Sequence, residues 1–410
     1  MNSKINKPIV YAGLFLVISG ISYYAFNQLV PIKTTKTETK ITVTPSPTKK
    51  QIGDLTFSGP KTEVCPINGE LFTKEEKDIW SKRRPLTVMI ENHADARPQS
   101  GLQNADIVYE AVAEGGITRF MAVFYCNIVK GSPNKYDVGP VRSARTYFLD
   151  LASEYGDYPL YAHVGGANCS AAVPGGPCTT NAKALAIEQI QGYGWNNKGT
   201  WGDLSQFSLS YKVCRREPDR TGKPVDTEHS MYCSTTELWN IAESRGLTNQ
   251  TIINKTNWDK NYKSWSFKQK DQANNSPSPS AISFNFWSGY QDYLVSWKYD
   301  QAINSYVRQN GGQPYIDFNT GEVLTAKNVV IQYVKEKRSV DVHGHNLYEV
   351  IGQGSGLVFQ NGTKIDITWA KANRTGKTIF KDKTGQEVKL VPGQVWVEIL
   401  PTATAINYEG

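Results

Sequence analysis

The chain has no C-x-x-C pair, and the RSAR stretch around Ser143 is not a G-x-S-x-G nucleophile elbow. Its glycine-rich stretch, GGANCSAAVPGGPC, lacks the Lys-Ser/Thr end of a phosphate loop. These gaps argue against a structural zinc ribbon, a serine hydrolase of the elbow type and a P-loop nucleotidase. Internal repeats are absent, as is any concentrated basic stripe. The net charge of +7 over 410 residues suits a protein near anionic surfaces but excludes a typical nucleic-acid binder. What remains is material for a substantial core, with 39% hydrophobic residues, 10 Trp and 22 Tyr.

The N-terminus stands apart in composition. After Lys4 and Lys7 the chain carries no charge until Lys33, a run long enough to cross about 30 Å of hydrocarbon. The pattern predicts a cytoplasmic tail over 1–7, an uncleaved single-pass anchor over 8–32 and outward-facing domains in the cell membrane. No A-x-A cleavage site follows the run, and Tyr23, Tyr24 and Phe26 suit an interfacial belt. No cysteine follows it either, which excludes lipid attachment there. Residues 33–62, rich in Thr, Lys and Pro, read as a flexible stalk.

All six cysteines lie beyond the predicted anchor. An even count on the outer side of a membrane reads as a disulfide set, with fifteen conceivable pairings. Cys169 with Cys178, across a Pro-Gly loop, and Cys214 with Cys233 are the expected bridges.

Residues 63–267 alternate strand and helix patterns, which argues an α/β domain of layered sheet and helices. PLTVMIEN, ITRFMAVFYCN and YPLYAHVGG read as strands, and ADIVYEAVAEG fits strand or helix. SARTYFLDLASEYG and TTELWNIAESRGL read as helices with glycine stops. A polar Pro/Ser-rich linker covers 268–280. Residues 281–403 then read as a smaller, mainly-β domain of short strands, with Asn361-Gly362 as a hairpin turn.

The stretches RPLTVMIENHADARPQSGLQNADIVYEAVAEGGITRFMAVFY and VGPVRSARTYFLDLASEYG resemble the N-terminal domain of the YerB-like lipoprotein family, DUF 3048. YIDFNTGEVLTAKNVVIQYV and the GSGLVFQNGTK…VWVEILP stretch resemble that family's separate C-terminal domain. The resemblance implies a bacterial envelope protein outside the cytoplasm, of uncharacterised biochemistry. Two departures stand out: a membrane helix where many relatives carry a lipidated cysteine, and extra cysteines around 169–233.

The polar residues of the first domain gather at predicted strand ends, where open α/β sheets form ligand sites. Glu91, His93, Arg119, Arg142, Ser143, Arg145 and His163 are the candidate ligand-binding residues. Two arginines in VRSAR, at a helix start, oppose the helix dipole and call for an anion. One reading is a pocket in which Arg119, Arg142 and Arg145 grip phosphate or carboxylate, with Glu91 or Asp106 as acid/base or metal partner. The other is an internal network pairing the arginines with Glu110 and Glu114. His93, His163 and His229 fit structural roles as well as chemical ones. His343 and His345 flank a hairpin-tip glycine with no third ligand nearby, so no metal is assigned. No catalytic residue and no cofactor can be named.

The order TRFMAVFY, VGPVRSARTY, YAHVGG also resembles, more weakly, the LytR-CpsA-Psr phosphotransferases, whose arginines hold a polyprenyl pyrophosphate. There Arg142 would contact pyrophosphate, but Ser143 stands where that motif places an acid. The expected function is therefore an envelope binding or assembly factor for an anionic polymer, a lipid carrier or a protein partner. The alternative is a glycopolymer phosphotransferase.

Overall fold

The computed structural model describes residues 57–130, 136–269, 273 and 277–409. The expected tail, the anchor and most of the stalk lie outside the described residues. Among the described residues no helix is long and apolar enough to cross a membrane.

The protein is mostly sheet with few helices, in N-terminal and C-terminal regions. The N-terminal region supplies five strands of the main sheet: β1 (Leu86–Glu91), β2 (Ile107–Glu114), β3 (Ile117–Phe124), β4 (Leu160–His163) and β5 (Asp203–Ser205). The C-terminal region supplies β6 (Asn328–Val334), β7 (Gly352–Gln360), β8 (Thr363–Lys371), β9 (Ile379–Lys381) and β10 (Val395–Pro401). Hydrogen bonding joins all ten in the order β9-β8-β7-β6-β10-β2-β3-β1-β4-β5. The seam is parallel: β10 lies between β6 and β2, with Val395 beside Ile107 and Glu398 beside Glu110.

Burial on both faces explains the ambiguous pattern of ADIVYEAVAEG. Seven of the eight β2 residues are buried, so the strand shows no alternation of apolar and polar positions to distinguish it from a helix. Two-residue turns link β2 to β3 and β7 to β8. Gly115-Gly116 and Asn361-Gly362 all take positive φ, as a type I′ hairpin requires.

The described α-helices are α1 (Lys74–Trp80), α2 (Thr146–Ala152), α3 (Ala186–Gly192) and α4 (Thr235–Ser244). At seven to ten residues they are shorter than a fully layered α/β fold leads one to expect. The predicted SARTYFLDLASEYG helix keeps only α2 and a following 3-10 turn before Gly156 reverses the chain at φ +106.

A second sheet of six strands spans 281–326 and takes in 407–409. Where it meets the main sheet lies a fully buried polar group. Arg308 pairs with Glu110 at 2.6 Å and Glu398 at 2.8 Å, and all three side chains are inaccessible to solvent. Glu398 also accepts from Trp297 Nε1, and Glu110 accepts from Asn92 and Thr118. Burial and the adjacent Glu110 carboxylate push Glu398 up to about 8.

Two disulfides close the described chain, Cys65–Cys126 and Cys214–Cys233. The second matches the expectation, whereas Cys169 and Cys178 are exposed free thiols. Their loop bridges Ala171 to Cys178, and the two thiols lie in hydrogen-bonding contact, which raises Cys169 and lowers Cys178.

Candidate functional site

The segment 140–145 threads between the ends of β1 and β4. Glu91 N–H donates to the Pro140 carbonyl, Arg142 N–H to Met89, and Ala144 N–H to Gly165. The Val164 N–H closes the arrangement on the Arg142 carbonyl. Gly166 has little room for a side chain: a Cβ there would meet Ile187 at 2.9 Å and Ala144 at 3.1 Å. The backbone therefore holds VRSAR rigidly at the sheet end before α2 begins.

The four polar residues of VRSAR and β3 divide into a buried floor and an open lip. On the floor, Arg145 is the N-cap of α2 in extended conformation, and its side chain turns back to Glu114 at 2.7–3.0 Å. Arg119 reaches the same carboxylate and donates to the Ser143 carbonyl at 3.1 Å. Burial alone would raise Glu114, but Arg119 and Arg145 outweigh it and hold the carboxyl at about 2. Burial, then the neighbouring Arg145, lowers Arg119 to about 10. For these two arginines the anion at the helix start is Glu114, not a ligand. Glu110, the other partner considered, is occupied by Arg308 instead.

Arg142 and Ser143 form the lip. Arg142 donates through Nε to Glu91 at 3.1 Å, and a quarter of its side chain is exposed. Among the described residues its two terminal nitrogens make no hydrogen bond, and neither does the half-buried Ser143 hydroxyl. The second Glu91 oxygen takes His229 Nδ1 at 2.9 Å, and the His229 ring stacks on His93 at 4.5 Å, 9° from parallel. His93 Nδ1 lies 3.4 Å from Asp95 Oδ2. His93, Asp95 and His229 thus bring three ligand atoms within 4.8 Å of one another.

Other expected participants sit elsewhere or are fully engaged. His163 has one nitrogen 2.6 Å from the Gly165 carbonyl and the other 2.7 Å from Asp203, which leaves no ring nitrogen for a ligand. Asp106 is no partner of the arginines: it accepts from the backbone N–H groups of Tyr125, Cys126 and Asn127 and from Asn68. It lies beside Cys65 and Cys126, but their disulfide removes both thiolates as ligands. His345 pairs with Asp341 at 2.9 Å, and His343 lies 3.1 Å from the Thr179 hydroxyl. The C-terminal region borders this sheet end, since His345 bridges to Glu114 and Asn181 N–H donates to Asp341.

Two long-range contacts escaped sequence reasoning, one at the site and one in the seam. His229, read as loop packing, touches Glu91 across 138 positions of sequence, and Arg308 finds Glu110 across 198. No local pattern signals either pairing.

Known proteins share this architecture. The family described as "Protein of unknown function (DUF3048) N-terminal domain" matches residues 70–248, and its C-terminal domain matches residues 282–397. A relative from Bacillus subtilis (strain 168), described as "Putative lipoprotein YerB", is 29% identical over 343 residues. That match spans 84% of this chain and 88% of the relative. The crystal structure of the YerB protein from Bacillus subtilis superimposes with a TM-score of 0.63 at 25% identity, over 84% of this chain and all of that one.

Proposed function

The chain belongs to the DUF3048 family, and from that premise we propose that it is a membrane-anchored envelope factor that binds an anionic group at the Arg142 lip. The ligand is a phosphate-bearing glycan or lipid carrier. The observation that carries this reading is the contrast among three clustered arginines. Arg119 and Arg145 share Glu114, while Arg142 uses one nitrogen on Glu91 and leaves its terminal pair facing a partly open site. A guanidinium fork with two free donors suits a phosphate or carboxylate. The neighbouring Ser143 hydroxyl adds a donor. Arg119, Arg142 and Arg145 face Glu91 and Glu114, and the exposed Glu228 lies within electrostatic reach of Arg142.

The membrane side of the proposal rests on the uncharged run over 8–32 and on the lipoprotein description of the Bacillus relative. The two would reach the same compartment by different anchors.

The test is thermal unfolding of the full chain in detergent with a short-chain polyprenyl pyrophosphate, with inorganic pyrophosphate as a parallel arm. A ligand that binds only the folded state raises the midpoint as its concentration rises. The expected result is a rise that Arg142→Gln abolishes, because Gln keeps a hydrogen bond to Glu91 but loses the fork. Equal rises in both arms would assign the affinity to phosphate alone. An unchanged rise in Arg142→Gln would overturn the reading.

A further inference from the structure

We propose that His93, Asp95 and His229 form a binding site for a borderline-soft divalent cation of the zinc class. The inference stands on its own geometry and does not depend on the anion reading. The three residues come from two distant segments, the turn after β1 and the 3-10 turn at Thr227–His229. Folding nevertheless places their ligand atoms within 4.8 Å of one another. Two imidazoles and a carboxylate are a donor set that zinc accepts, and three protein ligands leave a fourth tetrahedral position for water or a ligand oxygen.

The second layer of contacts is in place too. Metal-ligating histidines usually donate their other ring N–H to a carboxylate, which fixes the tautomer and raises ligand basicity. Glu91 does this for His229: it sits 2.9 Å from Nδ1, is itself buried, and is held by Arg142. That contact leaves His229 Nε2 with its lone pair for the ion. His93 Nδ1 accepts from the Asp95 backbone N–H while the Asp95 carboxylate lies 3.4 Å from the same nitrogen. The Asp95 N–H occupies that lone pair, so His93 releases this bond before Nδ1 and the carboxylate can share one cation.

The parallel stack of the two rings defines the movement that binding requires. A metal must lie in the plane of each imidazole it ligates, so His93 turns off the stack when the ion enters. About a third of the His93 side chain and two thirds of the Asp95 side chain are exposed, so Asp95 turns freely while His93 gives up its stack on the buried His229.

The test is a titration of the full chain in detergent with zinc against a chromophoric chelator, repeated with cobalt to read the visible bands of tetrahedral coordination. The expected result is one equivalent bound with the intense cobalt spectrum of a four-coordinate site. His93→Ala and Asp95→Asn should each weaken binding by at least tenfold. Asp95→Asn, on an exposed side chain, should leave the unfolding temperature unchanged, whereas His93→Ala also loses a turn cap and the His229 stack. Glu91→Gln should weaken it about 10–100-fold. His343→Ala serves as the control for the other histidine pair and should bind as the wild type does. Binding that survives His93→Ala, or that His343→Ala removes, would overturn the proposal. So would the absence of any stoichiometric binding.

Discussion

Two clusters of buried charge, the Arg308 triad and the VRSAR network, use the same residue types for opposite ends. The Arg308 guanidinium lies between Glu110 and Glu398 at no exposure, roofed by Trp297 and by Trp396 at 4.6 Å. Water has no access, so the triad can only hold the two sheets in register. At the sheet end, Glu114 satisfies two arginines but Glu91 satisfies only part of a third. Burial decides the difference: inside the seam Arg308 Nε and Glu398 Oε2 stay without partners among the described residues at a cost that nothing from solvent can offset, whereas at the lip water or a ligand can complete Arg142. A site can therefore form only where the network reaches the surface.

The largest way to break that comparison is Arg308→Met. Removing the cation strands Glu110 and Glu398 in the seam, and loss of one partner of a buried pair costs about 3–5 kcal/mol. Denaturant unfolding should show a midpoint lowered accordingly. Arg142→Gln at the lip, measured in the same way, should cost less than about 1 kcal/mol.

pH separates the two clusters next. Glu114 is depressed to about 2 by Arg119 and Arg145 against the effect of burial. Its contribution is thus present above the ordinary carboxylate range near 4.5 and is lost as pH falls through about 2. The effect is on the order of 2 kcal/mol after allowing for partial exposure. Glu398 has the opposite sign. Raised to about 8 by burial and Glu110, it favours the fold below the ordinary range and progressively loses that contribution as pH rises to about 8. Unfolding midpoints across pH 2–9 should fall at both ends. Glu114→Gln should flatten the acid limb, and Glu398→Gln should shrink the alkaline one, to which Asp106, raised by burial to about 7, adds with the same sign. A flat profile in the wild type would contradict both assignments.

The smallest effect concerns the cysteines. Cys169 and Cys178, both exposed, should react with iodoacetamide in the folded protein and give two labels by intact mass. Cys169→Ser with Cys178→Ser should leave the unfolding midpoint within about 0.5 kcal/mol of wild type. Cys65→Ser, by contrast, opens a bridge that spans 61 residues and should cost about 2–5 kcal/mol.

Much of this was legible in the sequence because it depends on neighbours along the chain. Asn361-Gly362 marks the β7–β8 turn, and Ser234 before TTELWN caps α4 through the Glu237 N–H. The arginines at the end of an apolar run mark the site. Which anion each arginine meets was not legible. Glu110 and Glu114 stand on one strand, four residues apart, and nothing local says that Arg308 takes the first while Arg119 and Arg145 share the second. Equally, spacing alone does not say that Cys169 and Cys178 meet as two free thiols in contact rather than as a bridge.

By itself, the amino-acid sequence determined the family, most of the strands, the Asn361-Gly362 hairpin and the segment in which charge concentrates. Those properties arise from side-chain size, periodicity and backbone preference within a few residues. Tertiary structure alone decided that the two regions share one sheet through β10, and that Glu398 lies beside Glu110. It also brought His229 to Glu91 and His93, and left Arg142 as the arginine with donors to spare. Each of these depends on contacts between residues tens to hundreds of positions apart, where burial and pairing, rather than local propensity, set the energy.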